Sequence, residues 1–320
     1  MGISRQQALQ YLASDDLIGI GMQADALRRK LHPEGVVSYL VDSVLPCTAQ
    51  TVRNMAALGP QMDRALQAGA TSLQLQNAAG TEAITDLATL EALLRGLRQG
   101  FSQLQLHGFS ATEVVALAAA NRLSPQQVLA RLHAAGLDLL DGNDAAILDD
   151  TIRPALCCAA EDWLAVHRTA HQLGLPSVAG ITFGLGESVE LRVEHLEKIY
   201  ALQQQTSGFT AFVPRNRQLN PARGERKLDE ATAVEYLKML AVSRLYLDNI
   251  EHVQTEWTAQ GSKVMQMALR FGSNDVGSAL PQELSPETSG QTEEDIRRIV
   301  RDAGFRPAQR DTAYRALFLS

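Results

Sequence analysis

The chain has 320 residues, 45% hydrophobic and 20% charged, so it can bury one large core or two smaller ones without cross-links. A net charge of −7 and a pI near 5.5 give no basic field for a phosphate backbone, which argues against a nucleic-acid partner. Three cysteines, an odd number without regular spacing, fit a reducing compartment. The polar N-terminus "MGISRQQALQYLASDDL" and the lack of any 18-residue apolar run argue against secretion and against a membrane partner, so a cytoplasmic location is expected.

Residues 1–35 read as a helical cap closing the bottom of the fold. Short β-rich runs then recur: "VVSYLV" from 36, "TSLQLQ" from 71, "SQLQLH" from 102, "LDLL" from 137, "SVAGIT" from 177 and "FTAFV" from 209, with two weaker ones near Ile250 to Gln254 and near Phe271. Amphipathic stretches separate them, among them "TDLATLEALLRGLRQG", "SPQQVLARLHAAG", "DWLAVHRTAHQLG" and "DEATAVEYLKMLAVSRL", several stopped by glycine. The alternation is a βα repeat. About eight units predict an α/β fold of the (β/α)8 TIM-barrel type over 36–320, a single domain, because no G-x-G-x-x-G follows the first strand as an open doubly wound sheet would want. The polar stretches at 214–227 and 280–294 follow strand ends and are expected to overhang the barrel's C-terminal mouth, where this architecture binds ligands.

The segments "GIGMQADALRRKLHPEGVVSYLVD", "GFTAFVP", "AVEYLKMLAVSRLYLDNIEHVQTEW", "ALRFGSNDVGS" and "EEDIRRIVRDAGFRPAQRDTAY" resemble the radical S-adenosylmethionine enzymes of the futalosine route to menaquinone, the family of the cyclic dehypoxanthine futalosine synthases. The resemblance covers nearly the whole chain. It implies a four-iron cluster held by a C-x3-C-x2-C motif in a loop after the first strand, with S-adenosylmethionine on the fourth iron. Counted forward from Asp42, the cysteine positions fall on Thr51, Met55 and Leu58, and the connection to the next strand is shorter than the family's. Cys47 alone cannot hold a cluster, and the adjacent Cys157 and Cys158 are not expected to converge with it; Cys158 reads as a small buried residue. Other family marks differ too. A Gln-Gly-Gly turn is here Gln76, Asn77 and Ala78, a carboxylate becomes Ala146 in "DGNDAAIL", and a histidine becomes Leu185. No cofactor is therefore expected: the motifs for the four-iron cluster and for S-adenosylmethionine are both missing.

Polar residues at predicted strand ends make up the candidate site. His107, Glu187 and Asp275 are candidate acids or bases, and Gln76, His107, Thr182, Arg215, Gln254, Trp257, Asn274 and Asp275 are candidate ligand contacts, with Trp257 able to stack on a ring. Each has a structural reading beside the functional one. His107 suits a hydrogen-bonded interior, Glu187 an early-turn carboxylate, Asn274 and Asp275 a turn, and Trp257 the core. His167 and His171 share a helix face at i, i+4, but no HExxH glutamate accompanies them, so a surface helix is preferred and no metal site is expected. Arg215, Arg217, Arg223 and Arg226 fall in one mouth loop and favour an anionic ligand.

The expected function is that of a homologue without radical chemistry, a pseudoenzyme that binds a nucleoside-type small molecule or supports an active homologue, the other partner considered being a second copy of the chain. The alternatives are an enzyme with new non-radical chemistry at the same mouth, and an active futalosine cyclase with cluster ligands from an unexpected place.

Overall fold

The computed structural model describes residues 2–53, 58–77, 83–142, 144–217, 231–279 and 292–319. Two helices open the chain, α1 (Arg5–Ala13) and α2 (Leu17–Leu31). The first starts on a Ser4/Gln7 capping box and the second on Asp16, whose side chain accepts from the Gly19 amide. The alternation begins with β1 (Val36–Cys47), followed by α3 (Ala49–Arg53) and α4 (Gly59–Gln67). It continues with β2 (Ser72–Asn77), α5 (Leu87–Gly100), β3 (Gln105–Gly108), α6 (Ala111–Asn121), α7 (Pro125–Ala135), β4 (Leu139–Leu140), α8 (Ala160–Gln172) and β5 (Ser177–Phe183). Then come α9 (Val189–Thr206), β6 (Phe209–Asn216), α10 (Ala233–Tyr246), β7 (His252–Val253), α11 (Trp257–Gln260), α12 (Ser262–Ala268) and β8 (Asp275–Ala279). The chain ends with α13 (Glu293–Asp302), β9 (Arg306–Arg310) and β10 (Ala316–Leu319).

Strands β1 to β7 pair side by side and parallel. A parallel bridge from Gln254 to Asp275 joins β7 to β8, and β8 pairs with β1, which completes the circuit expected of a (β/α)8 barrel. Residues that alternate outward, such as Leu73, Leu75, Leu106, Ile181 and Phe183, are fully or nearly fully buried against the ring of helices and carry the core.

Two expectations need correction. The strand foreseen near Phe271 begins only at Asp275, because Phe271 belongs to the turn after α12, where its ring covers Gly21 of α2. The N-terminal helices flank α9 and α10, and α2 also meets the turns that lead into the strands, with Gly21 under the Phe271 ring, Arg28 over Phe305 and His32 Nε2 donating to the Glu251 carbonyl. The floor is filled by a segment not foreseen as structure: β9 runs parallel to the first half of β1, Val36 opposite Arg306 through Leu40 opposite Arg310, and the turn after it enters the barrel. Of the two mouth loops, 218–227 and 280–291 lie outside the described residues, and so do Arg223, Arg226, Met55 and Ala78.

Candidate functional site: a charge-paired barrel interior

Inward-facing positions follow from the two-residue period of the strands. On β1 they include Leu40 and Asp42, on β2 Ser72 and Gln74, on β3 His107, and just beyond β4 Asp141. Register sets Asp42 opposite Ser72 and Gln74 opposite His107. His107 Nε2 lies 2.9 Å from Asp42 Oδ2 and its Nδ1 2.9 Å from Asp141 Oδ1. Ser72 Oγ donates to the other Asp42 oxygen at 2.9 Å and Gln74 Nε2 to the other Asp141 oxygen at 3.0 Å. Burial opposes a charge on His107, yet the two carboxylates outweigh it and hold the imidazole pKa well above its ordinary value. Burial likewise opposes the Asp141 charge, and the His107 imidazolium overrides it and pulls that carboxyl below the ordinary range. At neutral pH, then, both ring nitrogens of His107 donate, and the ring has no lone pair with which to accept a proton.

The backbone beyond β3 is held tightly to position this group. A Cβ at Gly108 would lie 2.3 Å from the Leu75 carbonyl oxygen, so only glycine lets β3 approach β2 here. Phe109 follows at φ 57, the left-handed region, and the Asp141 amide donates to the Phe109 carbonyl at 3.2 Å.

A second ion pair occupies the floor. Arg310 donates from Nε and Nη2 to the two oxygens of Asp275, the latter at 2.9 Å, while Ser38 Oγ at 2.6 Å and the Gly277 amide at 2.8 Å complete that carboxylate. Tyr314, at φ 61, stacks on His252 with ring centroids 3.8 Å apart and lies 3.9 Å beneath the Arg310 guanidinium. Arg215, further up β6, pairs with Glu256 at 3.1 Å. Together these groups enclose a chamber of about 100 Å³ lined by Gln74, His107, Asp141, Arg215, Gln254 and Tyr314 among others. A vestibule of about 250 Å³ shares Gln74 and Asp141 with it and is bordered by Gln76, Asn77, Ser110 and Glu113.

The candidate residues divide accordingly. His107, Arg215 and Gln254 line the chamber and Gln76 the vestibule. Thr182 is on the inward alternation of β5, its amide donating to the Ala145 carbonyl at 2.7 Å. Glu187 lines neither cavity: its fully buried carboxylate accepts from the Gly184 and Leu185 amides and from Arg192 Nε, closing the turn before α9. Trp257 packs in the core with Nε1 donating to the Ser278 carbonyl. The later start of β8 moves Asn274 and Asp275 from the mouth to the floor, because both precede or begin the strand instead of ending it; Asn274 Oδ1 accepts from Arg244 and from the Val253 amide. Asp42, Asp141, Arg310 and Tyr314 were missed by sequence reasoning.

The histidine pair also differs from expectation. His167 is fully buried, because α8 turns that face onto β5, where Ser177 Oγ meets His167 Nδ1 and His171 Nε2, each at 2.8 Å. Burial pushes both imidazoles toward the neutral form, His171 to about 4.

The family described as the CofH/MqnC C-terminal region matches residues 206–319. The chain is 30% identical to cyclic dehypoxanthine futalosine synthase of Streptomyces coelicolor over 98% of its own length and 86% of that protein. It is 32% identical to aminodeoxyfutalosine synthase of Thermus thermophilus, over 92% of this chain and 78% of that one. In fold it is similar to the FeFe-hydrogenase maturase HydG from Carboxydothermus hydrogenoformans, with a TM-score of 0.72 at 12% identity over 98% of this chain and 78% of the other.

A four-iron cluster of the kind radical S-adenosylmethionine chemistry requires takes three thiolates from the protein. The donor set here does not fit it. Cys47 ends β1 fully buried, and burial pushes its thiol up to about 12. Cys157 and Cys158 are consecutive residues in the connection from β4 to α8, where burial raises both thiols. Of the positions that counting forward from Asp42 assigns to the motif, Thr51 bonds back to the Pro46 carbonyl and Leu58 is buried in the core.

Proposed function

As a member of the radical S-adenosylmethionine family that includes cyclic dehypoxanthine futalosine synthase and aminodeoxyfutalosine synthase, to which the chain belongs, we propose that this protein has given up radical chemistry and uses its barrel interior to hold a nucleoside-type ligand. The observation that carries the reading is the polar interior itself. Asp42, His107, Asp141 and Gln74 are cross-bonded at 2.9–3.0 Å around a chamber that opens into a vestibule, while the cysteines of the chain do not fit a cluster. A buried polar network of this kind is costly to keep without a use, since each member needs a partner. The thiol chemistry supports the first half of the proposal and the network the second.

Thermal unfolding with S-adenosylmethionine, with dehypoxanthine futalosine and with simple nucleosides tests it. A ligand at a hundred times its dissociation constant adds about 2.7 kcal/mol, a shift of roughly a few degrees in a chain of this size. Stabilisation by the nucleoside-type compounds without S-adenosylmethionine is the expected result. A four-iron absorption spectrum after anaerobic reconstitution, together with cleavage of S-adenosylmethionine, would overturn it. A second reading, non-radical acid–base chemistry, is favoured by one feature: Asp141 borders both cavities. His107 is unsuited to be the base, since both nitrogens already donate, so Asp141 is the residue to substitute.

A further inference from the structure

We propose that the inner chamber recognises an uncharged, hydroxyl-bearing moiety of its ligand through Gln254 and Tyr314, and discriminates against the phosphorylated counterpart of the same compound. The inference rests on the reading of the barrel interior as a ligand site, and names what that site selects.

The charge inventory of the wall carries the first part. Each cation that lines the chamber already faces a carboxylate: His107 has Asp42 and Asp141, Arg310 has both oxygens of Asp275, and Arg215 has Glu256. A phosphate entering here must displace or crowd one of these carboxylates, and the others repel it at short range in a medium that screens poorly. Other anion sites leave guanidinium donors to the ligand; this one spends them on its own side chains.

Neutral hydrogen-bonding groups carry the second part. The carboxamide of Gln254 and the hydroxyl of Tyr314 belong to residues lining the chamber, and neither group has a hydrogen-bond partner among the described residues. Both are held in place by special backbone. Gly277 sits at φ +75, and a Cβ there would lie 2.6 Å from Gln254 Nε2, so glycine makes the room that the amide fills. Tyr314 adopts a left-handed conformation unusual for an aromatic residue, with its ring clamped between His252 and Arg310. Strained backbone that is kept in this way clusters at ligand clamps. An amide and a phenol offer donors and acceptors but no net charge, which suits sugar hydroxyls. The chamber takes a small moiety of that kind, with the vestibule left for the rest of the molecule.

Calorimetric titration of the full chain with adenosine and with adenosine 5′-monophosphate tests the inference. The expected result is binding of adenosine, with the monophosphate at least about tenfold weaker. Gln254→Ala and Tyr314→Phe are each expected to weaken adenosine about five- to tenfold, in line with one lost hydrogen bond, with the melting temperature checked so that a folding defect is not read as lost affinity. Glu256→Gln, which removes a carboxylate from Arg215, should narrow the gap between the two probes. Equal or tighter binding of the monophosphate overturns the discrimination and leaves the ligand-site reading standing. Adenosine affinity unchanged in both Gln254→Ala and Tyr314→Phe overturns the assignment of those residues. Binding of neither probe overturns the inference together with the reading beneath it.

Discussion

Replacing Arg310 by methionine, of similar length and without charge, isolates the ion pair on the barrel floor. Asp275 is fully buried and Arg310 nearly so, so the carboxylate left behind loses its guanidinium in a site shut off from bulk solvent. Breaking such a pair costs about 3–5 kcal/mol. The Ser38 hydroxyl and Gly277 amide still donate to Asp275, which places the expected loss near the lower end, about 3 kcal/mol. The unfolding entropy of a chain this long is roughly 0.7 kcal/mol per degree near the midpoint, so the melting temperature should fall about 4–5 °C. Adding Asp275→Asn to the Arg310→Met background removes the stranded charge, and the double variant should melt above the single one, a coupling of about 1 kcal/mol or more. Circular dichroism melts at pH 7.5 on wild type, both single variants and the double variant close the cycle. An Arg310→Met protein within a degree of wild type, or strictly additive changes, would refute the claim that this pair is a buried, mutually dependent unit.

His107→Asn should lower stability most at and below pH 6.5. The folded pKa of His107 lies above its unfolded value, so the stability it contributes is fully present below that value and fades as pH rises through the folded one; a gap in melting temperature that widens with pH contradicts this. His195 has the opposite sign. It accepts from the Leu148 amide at Nδ1 and donates from Nε2 to the Gly180 carbonyl, burial holds its pKa near 3, and wild type should therefore lose stability as pH falls below 6.5 more steeply than His195→Gln does, as acid melts would report. Gly108→Ala should cost about 3 kcal/mol, because the obstacle is the Leu75 backbone carbonyl and not a side chain that can swing away; chemical denaturation measures it. Thiol labelling of the native protein should spare Cys47, buried and with its thiol near 12, while reaching the half-buried Cys157 and Cys158.

The barrel was legible because its strands are apolar on the outward face and its helices amphipathic, and each of the six stronger runs contains or overlaps a strand. The site was legible where a polar residue interrupts an apolar run, as His107 does at the end of "SQLQLH". Asp42 carries the same signal, since alternation from Leu40 turns it inward, and it went unread as a site residue. Asp141 was hidden by the brevity of β4, two leucines long, which leaves no alternation to extend. Arg310 and Tyr314 were illegible for a different reason. "RPAQR" holds a proline and two arginines and looks like solvated loop, because its polarity serves a charged interior. His167 and His171 misled in the same way: their burial depends on the hydroxyls of Ser177 and Thr206, which lie six or more residues away in sequence.

The pairing of β9 with the first half of β1 also sets an order of events during synthesis. Val36 finds Arg306 only after roughly 270 further residues have been joined, and contacts of such long sequence separation are slow to form. Until then Val36 to Leu40 have an unpaired edge and Asp275 has no guanidinium. The nascent barrel therefore exposes a strand edge and a buried-type carboxylate together, and a growing chain in that condition is a natural client for chaperones.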